Sequence, residues 1–201
     1  MTPPKVSSSN EVKPKITEKK ETTEKEQVSA AVLVDSSAVI GGMPAAGHAG
    51  GFVWGGELGA HGVNVPVGGS VFIYHKFNDE TSKSYIPYSG NGVTYFGIKP
   101  AVNFYPGYDA LHATGVFGSI RLGLPLGLKV QDSTSTPSFV VGLSLDASVL
   151  NFIKVEPGKS VGFSLGGLGL SLLASPIGEQ KSISGLISVN LNPVGMIGGL
   201  F

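Results

Sequence analysis

The sequence predicts an all-β fold: an antiparallel meander closed into a barrel of about eight strands, with a disordered N-terminal tail. Three observations carry this expectation. Apolar residues recur at every second position in run after run, turn residues punctuate the runs, and much of the charge sits at one end of the chain. Composition agrees, since only 14% of the 201 residues are charged and 30 are glycine, against roughly 25% charged and about 7% glycine in ordinary soluble domains.

The tail comes first. Residues 1–27 hold six lysines (Lys5, Lys13, Lys15, Lys19, Lys20, Lys25) and five glutamates (Glu11, Glu18, Glu21, Glu24, Glu26), with Pro3, Pro4 and Pro14 and almost no large apolar side chain. Such a segment buries too little surface to offset the entropy of ordering and reads as a solvated tether. The boundary falls at 27, with a β-barrel domain over 28–201 that contains every glycine. No apolar stretch of signal-peptide length occurs in Met1 to Gln27. The apolar run Val28 to Ile40 is interrupted by Asp35, Ser36 and Ser37, and no run reaches the ~20 residues of a membrane-spanning helix.

The elements follow in chain order, counted from about residue 30. Phe52, Trp54, Leu58 and Ala60 alternate with Glu57 and His61, and His61-Gly62 ends the run. Val67 to Phe77 is a less regular strand. Asn78 to Gly92, carrying Tyr85 and Tyr88, reads as an extended loop. Phe96, Ile98, Val102 and Phe104 then face away from Tyr95, Lys99, Asn103 and Tyr105, up to the turn at Pro106 to Asp109. The cleanest alternation is Ile120, Leu122, Leu124, Leu126, Leu128 and Val130, with Arg121 and Lys129 on the other face. After the polar stretch Gln131 to Pro137, Phe139 through Val149 alternate with Val140, Gly142, Ser144, Asp146, Ser148 and Leu150. Glu156 to Lys159 turns the chain into Val161, Phe163 and Leu165, where Gly166-Gly167 shifts the phase to Leu168, Leu170 and Leu172 and predicts a β-bulge. Pro176 to Glu179 leads to the last run, Ile183 through Asn192.

The face opposite the apolar one is glycine, serine and asparagine with a rare charge, whereas a soluble sheet shows water Lys, Glu, Thr and Arg. A small transmembrane barrel inverts the usual arrangement, placing Leu, Val, Ile and Phe against lipid and small polar residues in a narrow lumen. On that reading Glu57, Lys99, Asn103, Arg121 and Asp146 point inward, and Arg121 and Asp146, on adjacent strands, form a structural ion pair.

Two segments carry a family resemblance: Gly97-Ile98-Lys99-Pro100-Ala101-Val102-Asn103-Phe104-Tyr105-Pro106-Gly107, and Gly115 to Leu124 with its Gly-Val-Phe-Gly-Ser-Ile-Arg start. The chain, over roughly residues 50–201, resembles the small bacterial outer-membrane β-barrel proteins. It ends in an aromatic residue, Phe201, as they do, although Gly199, Ile197, Gly195 and Pro193 replace the alternate apolar positions expected before it. The resemblance implies an outer-membrane location, the lipid bilayer as partner, and a structural or interaction role with the lumen filled by side chains.

Two soluble readings stand beside it: a lipocalin-like barrel holding an apolar ligand, and a β-sandwich subunit of a larger assembly. Enzyme chemistry is not expected. His48, His61, His75 and His112 show no metal-ligand spacing, and His112 with Thr114 is a poor echo of the His and Ser of barrel lipid hydrolases. No metal and no cofactor is expected. The glycine pairs lack the Lys-Ser/Thr of a phosphate loop, and a formal net charge of zero gives no footprint for nucleic acid. No protein partner is specified by the letters.

Overall fold

The computed structural model describes residues 30–45, 48–63, 65–77, 92–108, 114–131, 134–156, 158–177 and 182–198. The tail expected over 1–27, His112 and residues 78–91 of the loop expected at Asn78 to Gly92 lie outside them, whereas Gly92 itself opens a strand. The described residues form nine strands, β1 (Ala30–Ala45), β2 (His48–Gly62), β3 (Val67–Phe77), β4 (Gly92–Phe104), β5 (Gly115–Gly123), β6 (Leu126–Gln131), β7 (Thr134–Glu156), β8 (Lys159–Ser175) and β9 (Ser182–Leu191), followed by one short helix, α1 (Pro193–Gly198).

All nine belong to one sheet, and the sheet closes. Apart from β5 and β6, which do not pair with each other, each strand pairs antiparallel with the next, and β9 returns to β1. β5 and β6 are one strand in two pieces, since both lie between β4 and β7. The ring therefore has eight members. Proline explains the break: Leu124 N donates to Pro100 O at 2.9 Å and Gly142 N to Pro125 O at 2.8 Å, but neither proline has an N–H to return the bond.

The stagger of the ring follows from its register. The paired row Leu33, His61, Gly68, Ala101, Gly123, Ser144, Ser171, Leu186 comes back to β1 one position past the Ile187–Gly42 pair, ten residues along from Leu33. With ~3.3 Å rise and ~4.8 Å between strands, that stagger tilts the strands by about 40°. Several glycines stand where the neighbouring strand leaves no room for a side chain. A Cβ on Gly97 would lie 2.1 Å from Leu126 O, and one on Gly127 2.1 Å from Phe96 O, so neither member of this directly paired couple accepts a side chain.

Three details go beyond the letters or correct them. The predicted bulge is present at Leu165, left over between the pairs Val149–Gly166 and Leu150–Ser164. β7 begins at Thr134, so Pro137 stands inside a strand and not in the expected turn. The closure is not wholly antiparallel: β9 leaves the sheet after Leu191, and Ala30–Val34 of β1 pairs parallel with Lys159–Phe163 of β8 beyond it. The chain then turns into α1, with Asn192 Oδ1 accepting from Gly195 N at 2.9 Å as an N-cap. Pro193, Gly195 and Ile197, which suit a final strand poorly, are thus helical. Glycine has a steric reason at two tight turns, Gly107 (φ 77°) and Gly158 (φ 75°), each after a proline.

Candidate interior charge site

Alternation in every strand sorts side chains to two sides of a closed wall, and the sides are the reverse of a soluble protein's. Outward stand Trp54, Leu58, Ile73, Ile98, Leu122, Leu145, Leu170 and Ile187, with Leu58 58% and Leu122 50% exposed. Inward stand Asp35, Glu57, His61, Lys99, Asn103, Arg121 and Asp146, all under 8% exposed, among a set of buried serines.

The interior is layered. Toward the end bearing the β1–β2 and β8–β9 turns it is packed with Val39, Val53, Phe72, Tyr74, Val93, Tyr95, Val140, Leu173 and Leu186. Toward the opposite end Leu33, Leu150 and Phe152 are covered by Val63, Tyr105, Tyr108 and Phe117. There Tyr108 lies 4.6 Å from Phe152 between ring centroids, and its hydroxyl is 2.9 Å from Ser160 Oγ. The charges form a belt between these two layers.

All five residues expected to face inward meet in this belt, but the pairing differs from expectation. Arg121 and Asp146 are direct cross-strand neighbours, yet Arg121 reaches across the interior and donates from Nη1 to Asp35 Oδ2 on β1 at 2.5 Å. Asp146 is served by Lys99 instead, whose ammonium bridges Glu57 Oε1 at 2.6 Å and Asp146 Oδ2 at 3.1 Å. A long guanidinium arm meets a carboxylate head-on across a narrow ring more easily than by folding back on the neighbouring strand. Glu57 is further held by Ser70 Oγ at 3.2 Å and by the Tyr74 hydroxyl.

Arg121 also fixes the orientation of its neighbours. Its Nε can only donate, so Asn103 must present Oδ1 to it, at 3.1 Å. Asn103 Nδ2 therefore donates to His61 Nδ1, 3.1 Å away, and His61 is the neutral tautomer with its proton on Nε2.

Asp35, His61, Ser70 and Tyr74 were not among the residues expected at this site. Asp35 and Ser37 looked like breaks in an apolar run, but they are the inward members of Leu33-Asp35-Ser37-Val39 alternating with outward Val32, Val34 and Ile40. Read at period two, the break is the signal. His75 stands in the outward aromatic cluster, 4.7 Å from Phe77 and 6.4 Å from Trp54 between ring centroids, with Nδ1 3.0 Å from Thr94 Oγ1. Thr114 is exposed and outside any strand. Among the described residues no three His, Asp or Glu side chains stand where they could share a metal ion.

The belt offers buried, mutually compensated charge. It ties β1, β2, β4, β5 and β7 together through the interior. No family model matches the chain, and neither a curated protein nor a solved structure does.

Proposed function

We propose that the protein is an outer-membrane β-barrel with a structural or interaction role at the membrane, its lumen filled by side chains and closed to free diffusion. The observation that carries this reading is the inverted wall: large apolar side chains exposed all round the outside, ionised and polar side chains buried within. Exposed Leu, Ile, Val and Phe on every strand far exceed the few hundred Å² of apolar patch that a soluble monomer shows water. A bilayer is the solvent such a surface fits, and a closed ring is the only sheet that leaves no edge unpaired in it.

The dimensions agree. At ~3.3 Å per residue and ~40° tilt, the outward run Phe96 to Phe104 of β4 rises ~20 Å and Val116 to Val130 of β5–β6 ~35 Å, bracketing the ~25 Å apolar band of such barrels. Trp54, Phe52, His75 and Phe77 gather near one end of that band, where an interfacial belt belongs. A lipocalin-like function needs an apolar interior cavity, whereas this interior has a charge belt with a packed layer on either side.

The test is fractionation of the expressed chain with a carbonate wash, then electrophoresis of the detergent extract with and without heating. The reading expects retention in the membrane pellet and a faster-migrating unheated band. Recovery in the soluble fraction without detergent overturns it and returns the question to ligand binding or soluble assembly.

A further inference from the structure

The belt has three carboxyl groups, Asp35, Glu57 and Asp146, for two cations, Lys99 and Arg121, and the nearest further ionisable ring, His61, is neutral by its hydrogen bonds. Apolar layers close it off on both sides. A carboxylate in such a place without its own counter-charge carries a desolvation penalty that proteins relieve by taking up a proton.

The three groups are not equally supported. Asp35 has the Arg121 guanidinium, and Glu57 has the shorter arm of the Lys99 bridge plus two hydroxyl donors. Asp146 has only the longer arm of that bridge, at 3.1 Å. Its other oxygen, Oδ1, lies over Gly169, 2.6 Å from where a Cβ would stand, with Ser188 Oγ 2.6 Å and Asn190 Nδ2 3.6 Å from the same point, and neither brings a compensating charge. A proton on Asp146 removes the excess charge.

We propose that the interior belt is completed by one bound proton, held on Asp146, so that the folded protein carries a buried carboxylic acid at neutral pH. The groups facing it are Asp35 from β1, Glu57 and His61 from β2, Tyr74 from β3, Lys99 from β4 and Arg121 from β5, while β8 and β9 present only Gly169, Ser188 and Asn190. Lys129, on β6 and bonded to Ser182 Oγ at 3.1 Å, stands beyond the apolar layer. Loss of the proton leaves two negative charges sharing one ammonium, so alkaline conditions loosen the belt.

The test is infrared spectroscopy of the folded full-length chain, in whichever of detergent, lipid or buffer keeps it folded, so it stands apart from the membrane reading. The expected result is one protonated-carboxyl C=O band per chain at neutral pH, shifted in D2O and lost in Asp146→Asn. Asp146→Asn, which mimics the protonated group, is further expected to keep the wild-type denaturation midpoint and to flatten its fall at alkaline pH. Absence of the band in the folded wild type, or its survival in Asp146→Asn, overturns the proposal.

Discussion

Arg121→Leu is expected to lower the unfolding free energy by about 3–5 kcal/mol, while Arg121→Leu combined with Asp35→Leu recovers most of that loss. The reason lies in what the single change leaves behind. Asp35 is 4% exposed, so a carboxylate stripped of its guanidinium stays in the interior uncompensated. Removing both partners removes the penalty together with the attraction, and buried ion pairs replaced by apolar residues of similar volume are often neutral or stabilising. The double-mutant cycle, read from denaturant midpoints with unchanged slopes, separates this from a general packing defect, which would make the two losses add. Asn103 loses its bond from Arg121 in both variants while keeping His61, so that cost is common to them.

Leu145→Arg is expected to cost about 2–4 kcal/mol in a lipid-embedded chain, and Phe104→Arg, at the end of its strand, only about 0–1 kcal/mol. Both side chains are exposed on the outside, Leu145 at 43% and Phe104 at 51%. In water the two changes are equivalent surface substitutions worth within about 0.5 kcal/mol of nothing. Leu145 sits mid-strand between Leu122 and Leu170, level with the interior belt, where a bilayer is driest. Refolding into vesicles of each variant measures the difference. A clear gap between the two sites reports depth in an apolar medium, and equal small effects report water on both.

Much of the fold was legible because a closed sheet obeys the simplest periodicity a chain can carry. Each inward residue expected from alternation came from counting by two along runs such as Ile120 to Val130, and the phase slip at Gly166-Gly167 marked the bulge for the same reason. β1 was the least legible, since Asp35 and Ser37 place polar atoms inside an apolar run and imitate its end. The choice of Asp35 as partner for Arg121 was out of reach, because it depends on which strand stands across the ring, and that is set by the stagger and not by neighbouring letters. The parallel β1–β8 pairing and the helix after Asn192 were equally hidden. Both follow from β9 stopping at Leu191, one residue before the Asn192-Pro193 step at which the strand pattern of the letters also runs out.

The central claim is that the outside of the ring faces lipid. Trp54 tests it directly, being the single tryptophan and 53% exposed on the outer wall. In vesicles whose acyl chains carry bromine at defined depths, its fluorescence is predicted to be quenched, most strongly by bromines near the headgroups, and shielded from iodide in the aqueous phase. Quenching by iodide with no response to brominated lipid would contradict the account.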